Sequence, residues 1–116
     1  MTQKILEATA KACGFKKWRM LTSGLFQVSN NENWNEAFAK WTGWNPLTNP
    51  VDTAEMCARL EIDTRWHMGR EAVECIHKQD AWPAYCAFAK DHDNSRLKAW
   101  MHAATMVAAK IEGYTA

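Results

Sequence analysis

Along the chain, apolar positions recur at helical spacing in some stretches and alternate in others, and these two periods divide it into elements. Ile5, Ala8, Thr9 and Ala12 recur three and four residues apart behind Thr2, a capping residue, and ahead of Gly14. This predicts a helix over 2–13 that Gly14 ends in a left-handed turn. Trp18–Leu21 and Leu25–Val28 flank Thr22-Ser23-Gly24 and read as two short strands around a glycine-containing hairpin loop. Trp34, Ala37, Phe38 and Trp41 follow one helical face that Gly43 stops. Asn49 then offers a cap side chain, Pro50 sits where a missing N–H costs nothing, and Asp52 falls in the first turn, where the helix dipole favours a carboxylate. A helix over Pro50–Leu60 follows, packing through Thr53, Met56, Cys57 and Leu60 and leaving Glu55 and Arg59 as a solvated ion pair.

From Ile62 the apolar spacing shortens toward two. Strands are expected over 62–68, 71–77 and 84–88, the first two joined at Gly69-Arg70 and the third bounded by Pro83. Val73, Cys75 and His77 share one face of the middle strand, and Ala72, Glu74 and Ile76 the other. Asp93-Asn94-Ser95 supplies caps for a last helix near 95–112, in which Leu97, Trp100, Met101, Ala104, Val107, Ala108 and Ile111 trace an unbroken stripe up to Gly113. The order predicts an α+β fold: an antiparallel three-stranded meander (about 62–89) packed with helices (about 50–60 and 95–112), preceded by an N-terminal helix and hairpin. With 116 residues, a single domain is expected, 1–43 forming its N-terminal part and 44–116 its core.

Composition narrows the function classes. A hydrophobic share of 47% argues for a packed core, while no apolar run approaches a membrane span or a signal-peptide block, so a cytoplasmic protein is expected. The net charge of +1 excludes a global field for nucleic acid. A local patch at Lys16-Lys17-Trp18-Arg19 leaves a small nucleic-acid-associated protein as the alternative reading, with stacking supplementing modest charge.

The sharpest metal hypothesis joins Cys75, His77, Cys86 and His92, yet their spacing fits no standard zinc frame, and buried thiols are the simpler reading. No cofactor is implied. Asp91, His92 and Asp93 could shuttle a proton or hold a cation, but they are also what a loop before a helix uses as caps. With no convergent acid, base or nucleophile, the expectation is a non-enzymatic protein.

Trp44-Asn45-Pro46-Leu47-Thr48-Asn49, followed by a short helix, three strands and an alanine-rich helix entered through Asp93-Asn94-Ser95, resembles the bacteriophage ABA sandwich family. These small proteins of tailed phages and prophages run through a tryptophan, a (W/Y)-x-P-(L/S)-T-(D/N) loop, a helix, a three-stranded meander and an Ala-rich helix. The resemblance covers about residues 41–112 and is looser over 1–40. It implies a phage or prophage accessory protein and supplies no catalytic residue; phage genes of this size often encode factors that act on host proteins, including inhibitors of host defence.

Seven tryptophans in such a chain point to a core and to protein contacts. Trp34, Trp41 and Trp100 lie on apolar stripes and are expected in the core, with Trp44 as a lock beside the Asn-Pro loop. Trp82, in a polar turn before Pro83, is the expected exposed aromatic. With Lys78, Arg70, Arg65 and Trp66 it forms the expected anchor set for a host protein. The stripe of the last helix shows that one face is buried, against a sheet or against a second copy.

Overall fold

Two antiparallel sheets flank a pair of packed helices in the computed structural model, which describes residues 2–29, 41–78 and 82–115. The first helix, α1 (Thr2–Ala12), ends where Gly14 takes a φ of 85°. Two backbone bonds close that end, Gly14 N–H to Lys11 O at 3.0 Å and Phe15 N–H to Ala10 O at 3.2 Å, which together satisfy carbonyls the helix leaves unpaired. Leu6, Thr9 and Ala10 are the buried positions of α1, so of the Ile5-Ala8-Thr9-Ala12 stripe read in the sequence Thr9 is fully buried and the inward face is turned by about one residue. The cause is that Leu6 packs into the main cluster, a larger apolar gain than any alanine offers.

The hairpin forms as β1 (Lys17–Met20) and β2 (Phe26–Ser29), in register Trp18 with Val28 and Met20 with Phe26. A third strand, β3 (Thr42–Gly43), pairs with β2. Gly43 therefore extends a sheet, because the Gln27 and Val28 edge of β2 recruits the residues that lead into Trp44. The predicted helix through Trp34, Ala37 and Phe38 lies outside the described residues. Trp41, expected in the core, is half-buried and lies beneath the Arg19 guanidinium at 4.1 Å.

Trp44 is buried against Phe15 and Phe26 and locks the following loop. There Asn45 O accepts from Asn49 N–H at 2.9 Å, Asn45 Oδ1 accepts from Leu47 N–H at 2.9 Å, and the Asn45 N–H donates to Asp52 Oδ2 at 2.9 Å. Asn49 Oδ1 caps α2 (Pro50–Leu60) by accepting from Val51 N–H at 2.9 Å, a cap contributing about 1 kcal/mol. Thr53 and Met56 are buried and Cys57 and Leu60 half-buried, matching the predicted face. Arg59 does not pair with Glu55: it donates to Cys13 O at 3.1 Å, tying α2 to the end of α1, because a free helix-terminal carbonyl lies within its reach.

The second sheet is the predicted meander, β4 (Ile62–His67), β5 (Ala72–His77) and β6 (Ala84–Phe88), in that spatial order. Met68–Arg70 forms a turn of 3₁₀ helix between β4 and β5, with Glu71 left-handed. Val73, Cys75 and Ala87 face α3 (Arg96–Ile111), while Glu74 and Cys86 face away. Ser95 caps α3 through its Oγ, which accepts from Lys98 N–H at 3.1 Å.

The apolar stripe of α3 proves narrower than the surface it buries. Every residue from 103 to 109 is buried, since β4, β5 and β6 cover one side and α1 and α2 others. Leu97 departs from the expectation and is 49% exposed, in a first turn whose neighbours Arg96 and Lys98 are drawn to Glu71 and Asp93. Trp100 is half-buried and donates its indole N–H to Thr64 Oγ1 at 3.0 Å. Among the described residues no helix is long and apolar enough to cross a membrane.

Candidate functional site

The beginning of β6 and the end of α3 come together around an apolar concavity. Gly113 takes a φ of 84°, and its N–H bonds Lys110 O at 2.9 Å while Tyr114 N–H bonds Ala109 O at 3.2 Å. This glycine cap turns the chain so that Tyr114 lies beside the helix. Across from it, the cis Trp82–Pro83 pair enters β6, with Pro83 O held by His77 N–H at 3.0 Å. The cleft between them holds about 450 Å³, a volume suited to a compact ligand group. Trp82, Tyr85, Met106, Lys110 and Tyr114 supply its working surface.

Trp82 is 67% exposed, the most solvent-open of the large apolar side chains described. Leaving an indole in water forgoes the ~2 kcal/mol or more that its burial contributes elsewhere, so an exposed tryptophan at the rim of a cleft marks a contact surface. Lys110 Nζ lies 5.2 Å from the centre of the Tyr85 ring. Behind it Tyr85 packs edge-on against His102, with its hydroxyl 3.4 Å from Nε2, and the His102 and His92 rings lie 4.6 Å apart, tilted by 37°. Burial, with a smaller push from His92, holds His102 below the usual imidazole value of 6.5, so the ring is neutral at physiological pH.

The five expected anchors do not form one patch. Lys78 and Trp82 lie at the cleft end of the meander, whereas Arg70 lies in the turn at the other end of β5, a strand roughly 17 Å long at strand rise. Arg65 stands on the outer face of the sheet opposite Glu74, at 3.8 Å. Trp66 is on the α3 side, 45% exposed at the edge strand. Arg65 and Lys78 do come together, lining a second hollow of about 410 Å³ with Asp63, Thr64 and Ile76.

Register also divides the metal candidates. Cys75 is opposite Tyr85 on the α3 face, while Cys86 is opposite Glu74 on the outer face and exposed, so the two thiols point to opposite sides. Burial pushes the Cys75 thiol up to about 11, Cys13 to about 11 and Cys57 to about 12, which keeps all three protonated and unreactive near neutral pH. His92 is engaged with His102, and Asp93 pairs with Lys98 at 2.8 Å in the loop before α3. In the Lys16-Lys17-Trp18-Arg19 segment, strand alternation turns Trp18 with Met20 toward the core and Arg19 away from it, where Gln27 Oε1 accepts from Nε at 2.8 Å. Trp18 thus does not share a face with Lys17 or Arg19.

Tyr85, Lys110 and Tyr114 were not singled out in the sequence. Two signals bear on them: Met106 and Lys110 are one helical turn apart, and Gly113 forces a reversal that carries the next residue back along α3. No known protein family, curated protein or solved structure matches the chain.

Proposed function

We propose that the protein is a non-enzymatic binding module that docks a host protein through the Trp82 cleft, acting as a phage or prophage accessory factor that blocks a host function such as a defence system. The observation that carries the reading is the exposure of Trp82 at the rim of an apolar cleft, because an open tryptophan beside a pocket is the kind of group that dominates protein contacts. Burial raises the thiols of Cys13, Cys57 and Cys75, which favours binding over chemistry at those three cysteines near neutral pH. The phage assignment rests on the order of elements from Trp44 through the alanine-rich α3.

Capture from lysate of a bacterial host tests it, with the tagged protein and its Trp82→Ala variant run in parallel, each with and without nuclease. A host protein retained in stoichiometric amount, resistant to nuclease and lost with Trp82→Ala is the expected result. Retention that Trp82→Ala leaves unchanged, or that nuclease abolishes, overturns the reading.

A further inference from the structure

Resting on that reading of the cleft, we infer that its occupant is an extended segment of the partner carrying an aromatic side chain next to a carboxylate. The charge of the cleft selects the acid. Of the described residues that line it, Lys110 alone is charged. The ion pairs among the described residues engage Lys11, Arg65, His67, Arg96 and Lys98 and leave Lys110 without a carboxylate. Glu112, the nearest acid along the helix, is turned across to Lys11 at 3.8 Å. A carboxylate entering the cleft meets an ammonium over the Tyr85 ring, in a setting where apolar walls strengthen a charge-assisted hydrogen bond. A basic segment is repelled there.

The walls select the aromatic. Trp82, Tyr85 and Tyr114 offer ring faces and edges to a planar side chain, and a cleft of about 450 Å³ takes one or two side chains, not the face of a globule. The backbone favours an extended occupant. β6 is an edge strand, and among the described residues no backbone bond closes its outer side, so a segment can add to it while every second side chain turns toward the cleft.

Selection of a random short-peptide library on the immobilised protein tests this, with selected peptides titrated by calorimetry against the protein and its variants. The expected result is enrichment of peptides with an aromatic residue within two positions of an aspartate or glutamate. Their binding is lost with Trp82→Ala, weakened roughly tenfold by Lys110→Met, as for loss of one charge-assisted bond, and restored by Lys110→Arg. Lys110→Glu moves the selection to basic peptides. An unchanged circular dichroism spectrum and urea midpoint establish that each variant is folded. Peptides that lack acids and bind Lys110→Met as well as the parent overturn this inference and leave the binding module standing. Peptides indifferent to Trp82→Ala, or no selection above a blank surface, overturn both. Self-association in sedimentation that Trp82→Ala abolishes assigns the cleft to a second copy and also overturns both.

Discussion

The ends of α1 and α3 are built alike and finish differently. Each closes on a left-handed glycine with the same pair of backbone bonds, and each delivers an aromatic residue next, Phe15 after Gly14 and Tyr114 after Gly113. A cation lies over an aromatic ring at both: Arg59 over Phe15 at 5.2 Å and Lys110 over Tyr85 at 5.2 Å. At the first end, Trp44 packs edge-on to Phe15 at 5.3 Å, Arg59 is bonded to Cys13 O, and only about 20 Å³ of cavity remains. At the second, the cleft holds about 450 Å³, and among the described residues no carboxylate pairs with the lysine. The local motif is therefore neutral about function. Whether it packs shut or stays open depends on what distant segments bring to it, a tryptophan and an arginine in one case and, among the described residues, nothing that fills the space in the other.

The comparison breaks if both ends respond alike to loss of the aromatic. Phe15→Ala is expected to cost about 3 kcal/mol in urea unfolding, since it opens a packed cluster, and Tyr114→Ala less than about 1 kcal/mol while weakening partner binding. Equal costs would make the cleft a structural feature. The two caps are expected to be equivalent: Gly14→Ala and Gly113→Ala each force an alanine to positive φ and should cost about 1–2 kcal/mol by the same assay. A third helix end sharpens the point. α2 closes with Glu61 at a φ of 55°, a side chain where the other two have glycine, so Glu61→Gly should raise the unfolding free energy by about 0.5–1 kcal/mol.

Acid separates the ends in the smallest effect. His102 is depressed below 6.5 in the folded protein, so the unfolded chain binds more protons; stability is complete above 6.5 and falls as pH drops through the folded value. Glu71 and Asp93, held low by Arg96 and Lys98, add to acid loss only below their ordinary values of 4.5 and 3.8. Urea midpoints between pH 7 and 5 should therefore decline for the parent and flatten for His102→Gln. At the Phe15 end, Cys13 titrates near 11 and is silent across that range.

Much of this arrangement was legible in the chain. The Asn49-Pro50-Asp52 start of α2, the alternation of β5 and the glycine stops of α1 and α3 are local signals, and the structure places α2, β5 and both glycine ends where those signals put them. β3 was not legible, because a strand of two residues has no period to read. The inward face of α1 was missed by one position, since alanines and threonine mark a face weakly until Leu6 has a partner. For the site, Trp82 stood out through its polar turn. Tyr85, Lys110 and Tyr114 reach it only because β6 lies against α3, a pairing between segments that no local pattern states.

The contact between the first and last helices has a consequence for synthesis. Thr9 Oγ1 donates to Ile5 O at 2.7 Å and reaches Thr105 O at 3.4 Å, across 96 positions of sequence. A ribosome thus releases α1 long before α3 exists, and Leu6 and Ala10 stay uncovered until the alanine-rich helix emerges. Until then the nascent chain carries an apolar helix face open to chaperones, and closure of the core waits on α3.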